Sequence, residues 1–133
     1  MNQSDTKKVL LLYPSYRGGV QNYFDSILEF LDSKYFKVDH YHIGKRSLYP
    51  NLLNRIFYSM KDLIGLCRCY SKYDLIHINT TLGYRALIRD GFFHLFAKRF
   101  YNKKTIVFFH GWSYEMEVGI NRYFKKIFKF FFN

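Results

Sequence analysis

A short run of apolar residues near the start of the chain, Val9 to Tyr13, is followed by Pro14 and then by Gly18-Gly19. From Val20 onward the apolar residues recur every three or four positions, which is the period of a helix packed along one side. A continuous apolar run is typical of a strand covered on both faces, as in a parallel sheet. The change of period therefore predicts a buried strand, a glycine turn and a covering helix, the first unit of an α/β fold.

The same alternation recurs along the chain and predicts four strands separated by helices. Thr105 to Phe109 resembles the first run, so both strands are expected to be covered on both faces. Leu75 to Ile78 is a shorter run of the same kind. Phe36 to Ile43 includes Asp39 and two histidines, which places it toward an edge of the sheet. These patterns predict a Rossmann-like parallel sheet with helices on both faces.

Three helices are predicted between the strands. The first carries an apolar stripe formed by Val20, Tyr23, Phe24, Ile27, Leu28 and Leu31. The second runs from about Pro50, which suits a first turn, to Tyr70, and its expected inner face consists of Leu53, Ile56, Phe57, Met60, Leu63, Ile64 and Cys67. The third, from about Tyr84 to Tyr101, is expected to bury Leu87, Ile88, Phe92, Leu95 and Phe96. No repeat or linker is evident, so residues 1–133 are expected to form one domain.

The composition points to an anionic partner. The chain carries a formal charge of +11, and 22% of its 133 residues are aromatic. Basic residues mixed with aromatic ones suit a membrane surface or a nucleic acid. Because the charge is scattered over several helices and no recognition motif accompanies it, we expect no nucleic-acid partner.

Export signals and disulfides are not predicted. Asp5 precedes the first apolar run and Pro14 ends it too early for a signal peptide. No window approaches the roughly eighteen apolar residues of a spanning helix, so a cytoplasmic protein is expected. Cys67 and Cys69 lie two positions apart on a helix, point in different directions and are expected to be reduced thiols.

Right-handed crossovers bring the carboxyl ends of parallel strands to one edge of the sheet, where such folds bind ligands. Three loops are expected to meet there: Pro14 to Gly19, Asn79 to Gly83, and His110 to Tyr114. Each loop is richer in polar and small residues than the strand before it. This edge is therefore the predicted binding site.

The pair Gly18-Gly19 allows a phosphate or a sugar hydroxyl to approach the backbone and to meet the N–H groups at a helix start. A tight turn between strand and helix explains the same two glycines. A dinucleotide site, with Asp39 on a ribose hydroxyl, is not favoured because the third glycine of that motif is missing after Gly19.

His110 directly follows a predicted buried strand, and Trp112 lies two residues further on. An imidazole in this position can hydrogen-bond a ligand, and a neighbouring aromatic ring suits contact with a sugar. A structural hydrogen bond is the alternative role for His110. His40 and His42 share one face of a strand, but no third ligand accompanies them, so no metal site is predicted.

Four segments, in this order and spacing, resemble the amino-terminal domain of family 4 glycosyltransferases, which have the GT-B fold. They are Lys8–Pro14, Arg17–Tyr23, Tyr73–Asn79 and Phe109–Trp112. The resemblance covers nearly the whole chain. It lies in a strand-Gly-Gly-helix element, an Asp-Leu-Ile-His strand and a His-Gly strand end.

This resemblance implies transfer of a sugar from a nucleotide-sugar donor to a cell-envelope glycan or a lipid-linked acceptor. It implies retention at the anomeric carbon and no obligatory metal or other cofactor. In such an enzyme Gly18 and Gly19 face the donor phosphates, and His110 is the catalytic residue that contacts the donor sugar. The acceptor lies mainly against this domain, and the candidates for binding it are Tyr16, Arg17, Asn79 and Thr80.

The resemblance also assigns important groups to a carboxyl-terminal domain that has no position in these 133 residues. That domain supplies the cations that neutralise the leaving diphosphate and the glutamate that binds the ribose. The sheet itself is expected to be one strand short. We therefore expect an incomplete domain that is inactive alone and needs a separate carboxyl-terminal half. The alternative is a non-catalytic α/β module that binds a membrane, a glycan or a partner transferase.

The last predicted helix runs from about Gly119 to Phe132 and has two contrasting faces. One face carries Tyr123, Phe124, Ile127, Phe128 and Phe131, and the other carries Lys125, Lys126 and Lys129. The segment Arg122–Phe132 therefore suits an anionic membrane surface, which would place the protein on the inner face of the plasma membrane. A helix that simply covers the sheet is the alternative.

Overall fold

The computed structural model describes residues 6–14, 19–31, 35–44, 51–81, 83–111 and 114–132, apart from the side chains of residues 19–21, 27, 29 and 31. The strands are β1 (Lys7–Pro14), β2 (Phe36–Ile43), β3 (Leu75–Thr81) and β4 (Lys104–His110). The helices are α1 (Gly19–Leu31), α2 (Leu52–Cys69), α3 (Tyr84–Leu95), α4 (Tyr114–Gly119) and α5 (Lys125–Phe132). Shorter turns are the 3₁₀ turn Tyr70–Lys72 and the π-helical turns Phe96–Phe100 and Ile120–Phe124.

The four strands form one parallel sheet in the order β2-β1-β3-β4. This arrangement confirms the predicted parallel α/β fold and the edge position of β2. The expected loop after Ile78 is wrong, because Asn79 and Thr80 pair with Phe108 and Phe109 of β4 and belong to β3. The edge of the sheet that is predicted to bind a ligand therefore begins with strand residues.

One face of the sheet, called the three-helix face below, is covered by α2, α3 and α5. Successive side chains of a strand point to opposite faces, and this face receives Leu10, Leu12, Ile43, Ile76, Ile78, Val107 and Phe109. Leu66 of α2 and Phe93 of α3 are buried against the centre of this set. Phe109 contacts Phe128 and Phe132 of α5, with ring centroids 5.7 and 5.3 Å apart. The main hydrophobic core lies on this face.

The opposite face, called the α1 face below, carries the alternate strand side chains, which include Val9, Leu11, Tyr13, Val38, His40, His42, His77, Asn79, Ile106, Phe108 and His110. Helix α1 covers its central part, where Phe24 packs on Leu11 and Tyr13. No described helix covers Ile106 and Phe108, which are about half exposed. The expectation that β4 is covered on both faces is therefore wrong, since β4 forms the second edge of the sheet.

The expected inner face of α2 is wrong for most of its length. Leu63 and Leu66 are buried against the sheet, but the apolar residues before them and Ile64 are exposed: Leu52, Leu53, Ile56, Phe57, Met60 and Ile64. Packing of Leu66 and Tyr70 fixes the rotation of the helix and turns Arg55 and Ser59 inward. The helix begins after Asn51, and the prediction that Pro50 occupies its first turn falls outside the described residues.

The expected face of α3 is partly wrong as well. Leu87 is buried as predicted, whereas Ile88 and Phe92 are substantially exposed and Phe93 and Ala97 are buried in their place. The helix is contacted from two sides, by the sheet and by α5, and Phe131 of α5 packs directly over Gly91. The outer side of α3 consequently retains large apolar side chains.

The carboxyl-terminal helices begin earlier than predicted, at Tyr114. Phe131 is buried, and Phe124 stacks on Tyr84 of α3 with ring centroids 4.4 Å apart. The apolar face predicted for this segment is thus mainly packed on α3 and β4, although Tyr123 and Ile127 are exposed. None of the described helices combines the length and the hydropathy needed to cross a membrane.

Candidate functional site

The carboxyl ends of β3 and β4 place two of the predicted site residues side by side on the α1 face. Asn79 is 1% exposed, and its Nδ2 donates a hydrogen bond of 3.1 Å to the backbone oxygen of Leu12 in β1. Its Oδ1 lies 3.2 Å from Nε2 of His110, the last residue of β4. One buried amide therefore ties the ends of three adjacent strands together.

This arrangement also fixes the proton on His110. Because Nδ2 of Asn79 donates to Leu12, its Oδ1 faces His110, and a carbonyl oxygen only accepts hydrogen bonds. Nε2 of His110 therefore carries the proton and donates it to Asn79. In the neutral ring, Nδ1 is then left as an acceptor for a hydroxyl or N–H group of a ligand.

Aromatic rings surround the imidazole of His110. Phe108, two residues earlier on β4, approaches it edge-on with ring centroids 4.6 Å apart. Phe24 of α1 lies edge-on at 6.0 Å. Burial lowers the pKa of His110 below its usual 6.5, so this histidine is neutral at pH 7. It is suited to accept a hydrogen bond from a sugar hydroxyl and does not supply a positive charge to a phosphate.

His77 lies on the same face of the sheet, two residues before Asn79 in β3. Its pKa is lowered, first by burial and then by the nearby His110. Its Nε2 is buried and has no hydrogen-bond partner among the described residues. Phe24 contacts this ring edge-on as well, at 6.3 Å. Sequence reasoning missed His77, but the two-residue period of β3 places it on the face of Asn79.

A second polar group lies at the end of β1. The hydroxyl of Tyr13 donates a hydrogen bond of 3.2 Å to Oδ1 of Asp25 in α1. Burial, together with the charge of Asp25, raises the pKa of Tyr13 to about 12. This tyrosine stays protonated and anchors the first turns of α1 to the sheet. It was also missed, since it reads as part of an apolar run.

His40 and His42 form an aromatic cluster with Tyr13. Their rings are 5.2 Å apart, and His42 meets Tyr13 edge-on at 4.6 Å. No group of three or more His, Cys, Asp or Glu side chains in the described part of the chain is placed to hold a metal ion. The two histidines therefore act as ring contacts on β2 in this structure.

The remaining predicted site residues are distributed as follows. Gly19 is the first residue of α1, whereas Tyr16, Arg17 and Gly18 lie outside the described residues. Thr80 is buried and alternates to the three-helix face, where its hydroxyl donates to the backbone oxygen of Thr81 at 3.3 Å. The structure brings Asn79 and His110 together and directs Thr80 away from them.

The candidate site is thus a neutral histidine and a buried amide, flanked by aromatic rings, at the carboxyl edge of a parallel sheet, which is where such folds bind ligands. Comparison with known proteins adds no assignment, since no family model, no curated protein and no solved structure matches this chain.

Proposed function

We propose that this chain is the acceptor-side half of a GT-B glycosyltransferase that moves a sugar from a nucleotide-sugar donor to a cell-envelope glycan or lipid-linked acceptor. The observation that carries the proposal is the bonded pair of Asn79 and His110 at the carboxyl edge of the sheet. The sequence resemblance to family 4 glycosyltransferases assigns the donor-sugar contact to the same histidine. On this proposal the chain is inactive alone.

The state of His110 agrees with a positioning contact to a sugar. A neutral imidazole whose Nδ1 is an acceptor can bind one donor hydroxyl, and the Asn79 hydrogen bond holds the orientation of the ring. Stabilising the leaving diphosphate requires positive charge, which a histidine with a lowered pKa does not provide. The proposal therefore requires cations from a second half of the enzyme, as the resemblance also implies. The co-substrate is the nucleotide sugar, and no metal or other cofactor is required.

The exposed rim of β4 supports a partner half. Ile106 and Phe108 lie beside His110 on the α1 face and are about half exposed. Apolar side chains beside a site are commonly covered when a second domain closes over it. We place the separate carboxyl-terminal half over this rim.

The test supplies that half in trans. The purified chain is mixed with the separately expressed carboxyl-terminal domain of a family 4 glycosyltransferase and a panel of nucleotide sugars and lipid-linked acceptors. Transfer should appear only in the mixture and should be lost in His110→Ala. His40→Ala is the control, because His40 lies on the same face but away from the Asn79 pair.

A second measurement uses the chain alone, so that donor binding is tested even if the two halves do not assemble. The same nucleotide sugars are titrated into isotope-labelled protein, and the imidazole nitrogens of His110 are followed by NMR. The proposal expects the imidazole nitrogen resonances of His110 to shift when the correct donor is added. The resonances of His40 in the same protein serve as the control and should not shift. An unchanged His110 for every donor, together with no transfer in trans, would favour the non-catalytic module.

We also propose an anionic membrane contact through the segment Arg122–Phe132, with the protein on the inner face of the plasma membrane. Tyr123 and Phe130 are largely exposed there, and Lys126 and Lys129 lie beside them on α5. Exposed aromatic rings with neighbouring lysines suit the interface of anionic lipids. This contact also fits the alternative, a binding module without catalysis.

A further inference from the structure

The surface charge of the molecule is distributed unevenly over the two faces of the sheet. Helices α2, α3 and α5 with their two π-helical turns carry nine exposed Lys or Arg residues, and they contain two acidic residues in all. The two acidic residues are Asp62 and Asp90. The outer side of the three-helix face is therefore strongly basic.

Neither carboxylate weakens the positive charge of that outer side. Asp62 is partly buried and accepts the backbone N–H of Gly44 at 3.0 Å. Asp90 is fully buried and is bound through both oxygens by Arg89, at 2.6 and 3.0 Å. No exposed carboxylate remains on these three helices. By contrast, Asp25 of α1 and Glu115 of α4 are exposed.

The same outer side is unusually apolar. The exposed large apolar residues of α2 are Leu52, Leu53, Ile56, Phe57, Met60 and Ile64. Leu53 is 79% exposed and Phe57 is 64% exposed, so these side chains contribute little to the core. Lys61 and Arg68, both exposed, border the row on one side. A contiguous apolar patch of this kind on a helix marks an interaction surface.

The neighbouring helices of this face also carry exposed apolar side chains. On α3 the outer stripe carries Arg85, Ile88 and Phe92, spaced by three and four residues. Phe92 contacts Phe131 of α5 with ring centroids 5.0 Å apart, and Phe130 lies next to it, exposed. Exposed apolar side chains therefore lie on α2 and on the joined outer sides of α3 and α5, and all three helices also carry exposed basic side chains.

We infer that the outer side of α2, together with α3 and α5, is a docking surface for a bilayer containing anionic phospholipid. The partner is chosen by charge complementarity. A second copy would bring basic surfaces together, and a neutral apolar partner would leave the cations unpaired. A bilayer with anionic headgroups accepts apolar side chains below its surface and pairs with Lys and Arg at the surface. The inference extends the membrane contact proposed for Arg122–Phe132 and adds α2 as the main inserting element.

Vesicle co-sedimentation tests the contribution of the exposed apolar side chains to lipid binding. The probes are vesicles of phosphatidylcholine alone and of phosphatidylcholine mixed with phosphatidylglycerol. Wild type should bind the anionic vesicles, and Leu53→Ser/Phe57→Ser should weaken binding at least about tenfold, because two exposed side chains no longer insert. The control is Phe30→Ser on α1, at a phenylalanine that is 77% exposed, and this variant should bind like wild type.

A second set of variants tests the contribution of the basic side chains to lipid binding. Lys61→Gln/Arg68→Gln should weaken anionic binding by roughly fivefold per residue, and added salt should reduce binding of the wild type. Lys37→Gln on β2 is the control for loss of a single charge. Amide hydrogen exchange adds a readout that does not depend on a variant: anionic vesicles should slow exchange in α2 and α5 but not in α1.

Two results would overturn the inference. One is equal binding by wild type and both α2 variants, with no protection of α2. The other is a dimer in analytical ultracentrifugation that the α2 variants dissociate and vesicles do not compete with, which would assign the surface to a second copy. His110→Ala separates this inference from the transferase proposal, since it removes transfer in trans and should leave vesicle binding unchanged.

Discussion

The two faces of the sheet differ in both composition and cover. The three-helix face buries the continuous core around Leu12, Ile78 and Leu66, and its outer side is basic and apolar. The α1 face carries four of the five histidines, and among the described helices only α1 covers it, so Ile106 and Phe108 of β4 are exposed. The comparison indicates that stability resides mainly on one face, whereas the groups suited to ligand chemistry lie on the less covered one.

The largest expected effect comes from removing core volume on the three-helix face. Leu66 is 0% exposed, so Leu66→Ala should lower the free energy of unfolding by about 2–5 kcal/mol, from lost burial and a residual cavity. Leu53→Ala, on the outer side of the same helix, should change it by less than about 0.5 kcal/mol. Urea unfolding followed by circular dichroism measures both. Equal losses would show that α2 is rotated differently from the arrangement described.

The next effect concerns the attachment of α5 to α3. A Cβ added at Gly91 would lie 2.5 Å from Cγ of Phe131 and 2.8 Å from its Cβ. Gly91→Ala should therefore displace α5 and cost about 1–3 kcal/mol through overpacking. Gly83→Ala is the control, because the added Cβ meets its nearest neighbour at an ordinary 3.8 Å. Thermal unfolding and amide exchange in α5 detect the change, and a neutral Gly91→Ala would mean that α5 is not packed on α3.

On the α1 face, the expected effect comes from the amide of Asn79. Asn79→Leu leaves the buried oxygen of Leu12 without its donor and frees the ring of His110. Loss of that hydrogen bond should cost about 1–3 kcal/mol, and His110 should lose its single tautomer. Urea unfolding measures the first effect, and nitrogen chemical shifts of the imidazole measure the second. A stable variant with unchanged His110 shifts would contradict the network.

The overall fold was predictable because burial on both faces leaves a strong signal in β1 and β3. The rotation of α2 about its axis was not predictable, because the helix has more apolar residues than the sheet can cover. The packing of Leu66 and Tyr70 decides which of these residues are buried. Periodicity alone identifies an apolar stripe but does not identify its partner. The same limit applies to α3, where Gly91 admits α5 on a side that the pattern does not mark.

The candidate site was partly predictable. His110 stands out because a polar residue follows an apolar run, and Asn79 was named with it. The contact between Asn79 and His110 depends on the register between β3 and β4. This register pairs Asn79 with Phe108 and Thr81 with His110, so the side chains of Asn79 and His110 lie on the same face of the sheet. His77 was missed because, inside an apolar strand, it reads as a core residue. The register, which no single strand encodes, joins these residues into a site.

Acid sensitivity should arise on both faces. Burial lowers the pKa of His94 on the three-helix face, helped by the positive charge of Lys98, and it also lowers the pKa values of His77 and His110. The unfolded chain then binds protons below about pH 6.5 that the folded chain excludes. The contribution of these histidines to the free energy of unfolding should therefore be present in full well above that pH and should be lost as the pH decreases below it.

The contribution of His94 can be separated from the other two. Both of its ring nitrogens are buried and have no hydrogen-bond partner among the described residues, and Phe132 of α5 lies 5.8 Å from the ring. His94→Leu should flatten the dependence of the unfolding free energy on pH without removing it. Urea unfolding at several pH values measures the slope. An unchanged slope would assign the acid sensitivity to the α1 face alone.

The smallest expected effect is the most informative about the outer surfaces. Phe57 of α2 and Phe30 of α1 are exposed in the folded chain and in the unfolded chain, so Phe57→Ser and Phe30→Ser should each change the free energy of unfolding by less than about 0.5 kcal/mol. A destabilised Phe57→Ser beside a neutral Phe30→Ser would mean that the outer side of α2 is already covered in solution. The lipid-docking inference would then lose the free surface on which it rests. Two neutral variants would instead leave the apolar row of α2 without a role in stability, as expected for a surface that contacts a partner.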